Sequence, residues 1–441
     1  MTIPKYVDCV SSGLPMIGDV PRHWRKTALK YLGNYQNGYP FKPEDWGSDG
    51  LPIIRISQLS GTAEPNYFAG VLEDRLRVED GDLLFSWSAT IDSFLWEGGS
   101  GWLNQHIFKV TPSEEAEKTF LYYVIKHIAP KLAEFDAHGS TMRHIKKESL
   151  GERLYVPERA EQRQIASFLN GETARIDALI TEQQRLIELL MEKRHAVISQ
   201  AITKGLSPGV ATKASGVEWL GAIPSHWQIQ RGRFLFDKVD DPPRDGDGVV
   251  TAFRDGQVTL RENRRTDGFT MAVLELGYQH VSEGDLVIHG MDAFAGAIGV
   301  SESDGKCSPE YAVLKPKISG LCNSYYAAVL RLMALRNFIY VICPSVRERA
   351  PRFRYETFKD VWLPVPPPAE QLAIVRHIEV EIDRIDGLAR QCEELIELAS
   401  ERRSALISAA VTGKIDVRDL VSSDPAPRLC RPKGSRGIGD S

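Results

Sequence analysis

The sequence contains no apolar run approaching the 18 to 20 residues of a bilayer span, and its first ten residues, MTIPKYVDCV, hold neither a basic nor an apolar signal segment. Neither a membrane nor an export role is expected, and the cytoplasm is the expected compartment. Six cysteines (Cys9, Cys307, Cys322, Cys343, Cys392 and Cys430) include no Cys-x-x-Cys pair, so they read as reduced thiols with no structural metal site. A Walker A loop and a His-Glu-x-x-His helix are both missing, which excludes those routes to phosphate or zinc chemistry. Positive charge is not in excess either: 54 Lys and Arg face 59 Asp and Glu, a net charge of −5. Any nucleic-acid role must therefore rest on local patches or on partner subunits. What is present is a chain of 441 residues, 42% hydrophobic and 26% charged, enough for two to four globular units at about 150 residues each.

The chain repeats itself. SGLPMIGDVPRHW, ending at Trp24, returns as SGVEWLGAIPSHW, ending at Trp227, an offset of 203 that also pairs Gly81-Asp82-Leu83 with Gly284-Asp285-Leu286. PERAEQRQI from Pro157 returns as PPPAEQLAI from Pro366, and over 157–205 and 366–414 the two copies agree at 21 of 49 positions. Between the opening motif and the Ala-Glu-Gln junction the sequences have diverged almost completely. Two nearly constant frames around two dissimilar bodies imply one mechanical role performed twice and recognition of two different objects.

Residues 161–203 contain no Pro and one glycine, Gly171, among good helix formers, and the copy at 370–412 matches in length. Each is expected to form one helix, about 65 Å long at 1.5 Å per residue. A seven-residue seam runs through Leu169, Ile176, Gln183, Leu190 and Val197, joined by Leu179, Ile180, Leu186 and Ile187; the copy has Ile378, Ile385, Cys392, Ala399 and Leu406. Helices this long need a partner to bury their stripe, and an internal two-fold-like repeat makes each the antiparallel partner of the other. The bodies show strand-like runs at 51–56, 82–87, 104–110, 285–289 and 311–314, with shorter helices near 119–135 and 324–341. The expected fold class is α+β: two mixed α/β domains separated by an antiparallel coiled coil. The expected divisions are 1–157, 158–205, 206–366, 367–417 and a tail, 418–441, too rich in Pro, Gly and polar residues to pack.

Some chemistry is nearly present. Asp241-Pro-Pro-Arg244 resembles the Asp-Pro-Pro-aromatic motif of amino-methyltransferases, but Arg244 cannot supply the ring that stacks on a flipped base. Phe294-Ala-Gly-Ala-Ile-Gly299 is glycine-rich yet lies between two expected strands, not before a helix. Asp285 with Asp304-Gly-Lys306 reads as turn chemistry. His23 and His226, at matching places beside a Trp, read as structural histidines. No catalytic residue and no cofactor is expected. Basic clusters are more informative: Arg143, Lys146 and Lys147 in the first copy, and Arg347, Arg349, Arg352 and Arg354 in the second, fall just upstream of the long helices. Such a set suits DNA phosphates, although a solvated basic face is the plain alternative. Within the bodies, Arg55, Gln58, Trp87, Arg254, Arg261, Arg264 and Arg265 are candidate contacts to bases or phosphates.

These motifs in order, W-x-G-x-I-P-x-H-W at 219–227 (with Met16 in place of the first Trp in the other copy), G-D-L-L-F-S at 81–86, N-Q-H-I-F-K-V at 104–110, and the two Ala-Glu-Gln junctions, resemble the DNA-specificity subunit of type I restriction-modification enzymes. The resemblance extends to about Val417. It implies two target-recognition domains held apart by a helical pair, each reading one half of a split sequence in double-stranded DNA, with two methyltransferase subunits on the helices and restriction motor-nuclease subunits joining for cleavage. It also implies a non-catalytic chain, with chemistry left to the partners. The two dissimilar bodies then imply an asymmetric target whose halves lie about one duplex turn, 34–36 Å, apart. A stand-alone DNA methyltransferase or nuclease, and a coiled-coil scaffold that does not bind DNA, are the competing readings.

Overall fold

The computed structural model of the chain describes residues 3–14, 17–136, 144–264, 276–343 and 352–420. It is mixed α+β and divides into two units: residues 1–184 with 393–441, and residues 185–392. Four longer helices are used below as landmarks: α1, Lys118–Asp136; α2, Arg159–Lys204; α3, Asn323–Leu335; and α4, Pro368–Val411. The long helices α2 and α4 are each unbroken and slightly longer than expected at their N-termini, where Arg159 and Pro368 begin the helix. Both contribute to both units.

In the first unit the central sheet has the order Gly33–Asn37, Ile107–Pro112, Leu83–Ser86, Asp92–Leu95, all antiparallel. Its Leu83, Phe85, Phe108 and Val110 face α1, which buries Phe120, Leu121, Val124 and Ile125 against them. In the second unit the order is Phe236–Val239, Tyr311–Pro316, Leu286–His289, Ile298–Val300, again antiparallel, with Leu286 and Ile288 packing toward Tyr325, Tyr326 and Val329 of α3. The two sheets thus share one topology although their sequences have parted. The frame strands keep even their register: Arg25–Ala28 pairs with Arg153–Val156 as Gln228–Arg231 pairs with Trp362–Val365.

The elaborations differ. The first body carries a second four-stranded sheet, ordered Tyr67–Phe68, Leu51–Ile54, Gly101–Leu103, Arg77–Val78, over its own small cores. The second carries two ribbons, Val250–Ala252 with Val258–Leu260 and Gln279–Val281 with Gly305–Cys307, around Val250, Val258, Val281 and Cys307. The helix expected over 324–341 is interrupted: α3 stops at Leu335, and a short helix, Phe338–Ile342, begins after Asn337 adopts left-handed φ of 57°.

The long helices run antiparallel within each unit. Arg403 of α4 donates to Asp177 of α2 at 2.8 Å in the first unit, and Arg194 of α2 lies 3.4 Å from Asp386 of α4 in the second. These two ion pairs are the same pair of repeat positions, exchanged between helices. Leu169, Ile176, Leu190, Ile378, Ile385, Cys392 and Ala399 are buried as the seam requires, while Val197 is half-buried beside Ile385 and Ala389. Three residues depart from the expectation: Leu179 and Leu186 are exposed, and Leu406 is half-buried, with Ile407 taking the core position instead. A straight helix gains about 20° per heptad on a seven-residue seam, so by the last turns of α4 the buried face has moved one residue on.

Candidate nucleic-acid interface

The frame explains itself through one carboxylate and one amide. Glu161, first-turn residue of α2, accepts hydrogen bonds from Tyr6 Oη (2.6 Å) and Trp24 Nε1 (3.0 Å), and its other oxygen lies 2.8 Å from His23 Nε2. Burial and the Glu161 charge push the Tyr6 phenol far above its ordinary range, so it stays a donor. Gln162 donates to the carbonyls of Glu115 (3.0 Å) and Pro157 (2.9 Å) and accepts from Glu117 N–H (2.8 Å), satisfying an orphan donor ahead of α1. In the second unit Glu370 Oε2 lies 2.9 Å from His226 Nε2, and Gln371 donates to Pro366 (2.9 Å) and accepts from Cys322 N–H (2.9 Å) at the start of α3. The Ala-Glu-Gln motif therefore staples each opening motif and each body helix to the long-helix N-terminus. His23 and His226 are structural, as their pattern suggested. Both long helices close on a glycine with φ of +71°, Gly205 and Gly413; a Cβ on Gly413 would meet Pro21 Cδ at 2.4 Å, so the helix end docks tightly on the Pro-x-His-Trp turn.

With the frame fixed, the chain reaches one end of each central sheet repeatedly. In the first unit Asn37, Ser86 and Ile107 share that end by register, and Trp87 follows directly. Trp87 Nε1 donates to Asn37 Oδ1 at 3.3 Å, and its ring lies 5.4 Å from His106 and 5.9 Å from Phe108. The Ile145 N–H donates to the Trp87 carbonyl at 2.8 Å, which brings exposed Lys146 and Lys147 to the same end. Arg55 arrives from the second sheet, since the Asn104 N–H donates to the Ile54 carbonyl at 3.2 Å; its guanidinium lies 4.8 Å over the Trp46 ring. Gln58 is committed locally, donating to the carbonyls of Ala63 (3.2 Å) and Glu64 (3.0 Å) and accepting from Arg55 N–H (3.0 Å).

The matching end of the second sheet is drawn by the same hydrogen bond: Phe353 N–H donates to the Gly290 carbonyl at 2.8 Å. Arg352 and Arg354 flank Phe353 and are exposed; Arg352 pairs with Glu310 at 3.2 Å. His289 stacks on Tyr311 at 4.4 Å and lies 3.1 Å from Asp292, whose other oxygen accepts from Arg254 at 2.9 Å. Burial holds the His289 ring below its ordinary pKa even against the pull of Asp292 and Glu310, so it is neutral near pH 7. Arg264 lies 4.2 Å over Phe253 and pairs with Asp255 at 2.7 Å, while Arg261 bonds Thr251 across the ribbon at 3.4 Å. Arg143, Arg265, Arg347 and Arg349, like the tail from 421, lie outside the described residues.

The structure thus gathers Arg55, Trp87, Lys146 and Lys147 in one unit and Arg254, Arg352 and Arg354 in the other. Sequence reading missed Asn37 and His106 in the first unit and His289, Asp292 and Glu310 in the second; the polar triplet Asn104-Gln105-His106 between two strand-like runs was the available signal. The Phe294–Gly299 segment forms a 3-10 turn, Ala293–Ala295, feeding the strand Ile298–Val300, with no helix to receive a cofactor. Asp285 and Asp304 accept backbone N–H groups of Ser282 (2.9 Å) and Glu283 (2.9 Å), closing turns. Among the described residues no group of His, Cys, Asp and Glu could hold a metal ion, and no helix is long and apolar enough to cross a membrane.

Residues 21–189 match the family model of the type I restriction modification DNA specificity domain. The chain is 23% identical over 440 residues to the type I restriction enzyme EcoBI specificity subunit of Escherichia coli, covering 91% of this chain and 89% of that one. It is 24% identical over 435 residues to the putative type I restriction enzyme MjaX specificity subunit of Methanocaldococcus jannaschii, covering 91% and 96%. Two solved structures share the fold: a chain from a study of complex assembly and conformational transition of the type I R-M system (TM-score 0.65, 15% identity, 90% of this chain and 99% of that one), and the HsdS subunit from Thermoanaerobacter tengcongensis (TM-score 0.50, 15% identity, 92% and 100%). Both relatives are specificity subunits by name, and the matched domain is a DNA specificity domain. Over about nine-tenths of its length the chain is thus similar to specificity subunits of type I restriction enzymes, and residues 21–189 match the DNA specificity domain of that family.

Proposed function

We propose that the chain reads an asymmetric, bipartite DNA target, one half-site by residues of about 20–150 and the other by residues of about 220–360, with unspecified bases between them. The observation that carries this reading is the pair of sheets with identical strand order whose corresponding ends hold cations and aromatic or imidazole rings, but carry different second layers. A shared scaffold fixes how each body meets a duplex, and different elaborations give each a different set of donors and acceptors. Arg55 and Trp87 in the first body, and Arg254, Arg261, Arg264 and Arg265 in the second, are the proposed base or groove contacts, while Gln58, whose amide is held by its own loop, supports Arg55. Arg143, Lys146, Lys147, Arg347, Arg349, Arg352 and Arg354 are the proposed phosphate contacts.

Docking of two copies of one methyltransferase subunit, with restriction subunits joining that complex, is the second part of the proposal. Each unit exposes the same three leucines of the repeat: Leu179, Leu395 and Leu398 in the first, and Leu388, Leu186 and Leu189 in the second. Identical apolar positions presented twice suit two copies of one partner. Such an assembly would work on chromosomal DNA in the cytoplasm. The test is the methylation pattern of a host carrying the full complex. Exchanging the second body for a relative's should change one half-site only, and deleting one heptad from both long helices should change the number of unspecified bases. A continuous palindromic target, or a swap that altered both halves, would falsify the division of labour.

A further inference from the structure

The repeat places a pocket at the same position in each unit, between the body helix and the long helices. In the first unit it is a cavity of about 350 Å³ lined by Lys126, His127 and Pro130 of α1 and by Ser400, Arg403, Ser404 and Ile407 of α4. In the second it is a cavity of about 330 Å³ whose lining includes Arg331, Leu332 and Leu335 of α3 and Arg194, His195 and Ile198 of α2. Arg194, His195 and Ile198 are the repeat positions of Arg403, Ser404 and Ile407. The amide that caps each body helix fixes the other correspondence: Gln162 takes Glu117 N–H where Gln371 takes Cys322 N–H, so Lys126 corresponds to Arg331. Each pocket therefore holds one cation from the body and one from the coil.

The two pockets differ in their counter-charge. Lys126 is neutralised by Asp92, whose two oxygens lie 2.8 and 2.7 Å from its Nζ. Sheet register shows what stands in that place in the second unit: Leu83 pairs with Leu95 as Leu286 pairs with Val300, so Asp92 corresponds to buried Ala297. Arg331 consequently has no ion-pair partner among the described residues, while Arg194 faces Asp386 through its Nε at 3.4 Å, without hydrogen-bond geometry. Nearby carboxylates are engaged elsewhere: Asp255 by Arg264 and Asp292 by Arg254, with Asp386 at 3.4 Å from Arg194 itself. Burial first, then the Arg194 charge, lower the Arg331 pKa against a smaller opposite pull from Asp255. Gly256, with φ of +95°, lets the hairpin backbone lie against the Arg331 guanidinium, where a Cβ would fall 2.3 Å from Nη1. Two guanidiniums beside a cavity of this size match a tetrahedral oxyanion, which takes parallel N–H donors from each.

We propose that the second unit holds a phosphate-binding pocket, with Arg194 and Arg331 as its ligands, and that Asp92 closes the equivalent pocket in the first unit. The phosphate is either a backbone phosphate of bound DNA or a free phosphate compound. The test uses the full chain and inorganic phosphate, followed by calorimetry and by thermal melting at constant ionic strength with sulfate-free chloride as control. Saturable binding by the wild type is expected, with binding lost in Arg331→Gln and in Ala297→Asp, which supplies the carboxylate the first unit already has. Ala297 is buried among Val250, Val258, Val287 and Val313, so Ala297→Asp is read where it keeps a cooperative melt; if it does not fold, Arg331→Gln alone decides. Equal binding by wild type and Arg331→Gln, or no saturable binding by either, overturns the proposal. The source is then read from the assembled complex on duplex DNA. If DNA supplies the phosphate, Arg331→Gln lowers the salt slope by about one; if a free compound does, the slope is unchanged and phosphate binding persists with DNA present. That second arm rests on the proposed function, whereas the phosphate arm does not.

Discussion

Glu161 and Glu370 hold the same place in the two units, yet Glu161 receives Tyr6, His23 and Trp24 whereas Glu370 receives His226. The position that supplies Tyr6 in the first unit is Gly209 in the second, and the buried Trp227 Nε1 finds no partner. The same contrast recurs at the pockets, where the first unit has Asp92 and the second Ala297. The two copies share the geometry of the frame, but at these two sites the polar groups are matched in the first unit and partly unmatched in the second. A buried unmatched group costs stability, so the second unit is the place where ligands or partners have most to contribute.

Breaking the staple separates the units most strongly. Glu161→Ala strands the Tyr6 hydroxyl and the Trp24 indole N–H in a buried site and should cost about 3 kcal/mol, whereas Glu370→Ala, losing one half-exposed imidazole contact, should cost about 1 kcal/mol. Chemical denaturation of the two variants checks this, and equal losses would mean that Tyr6 and Trp24 add nothing to the first staple. Smaller effects are expected at the basic ends. In the assembled complex, Lys146→Ala with Lys147→Ala should lower the salt slope of DNA binding by about two with the preferred sequence unchanged. Arg352→Ala with Arg354→Ala should lower it by about one, because Arg352 is already shared with Glu310. A change in preferred sequence would instead make these residues base readers.

The smallest difference is one of pH. Burial, then the charges of Lys131 and Lys414, hold the His127 pKa down to about 4 from an ordinary 6.5, and the corresponding residue in the second unit is Leu332. Between those values the unfolded chain binds a proton that the folded chain refuses. The His127 contribution is therefore fully present above about 6.5 and is lost as pH falls toward about 4. His127→Leu should flatten the fall of the melting temperature between pH 7 and pH 5 by a few degrees, and an unchanged profile would place the acid sensitivity elsewhere.

Local periodicity made the long helices and most of their seam legible, because Leu169, Ile176, Leu190, Ile378 and Ile385 recur within single helices and need no knowledge of the partner. Leu406 was misplaced for a related reason: the seven-residue rule holds only while coil packs on coil, and the end of α4 packs on the core around Trp24 and Leu29 instead. The Asn337 break in the second body helix had no Pro or Gly to announce it. Arg55, Trp87 and Lys146 are separated by dozens of residues, and their gathering at one sheet end depends on which strands pair, a choice made by contacts distant in sequence.

The sequence by itself determined the doubling, the two long helices, the resemblance to type I specificity subunits and, through the repeated Glu and Gln of the junctions, which residues anchor the frame; all of these are carried by short-range spacing or by one copy read against the other. Only the tertiary structure decided that the diverged bodies share one sheet, that Gln58 spends its amide on its own loop, and that Ala297 stands where Asp92 stands. Strand order and register are set by burial of side chains far apart in the chain, so the correspondence between a carboxylate and an alanine 205 positions later becomes visible only once the strands are paired.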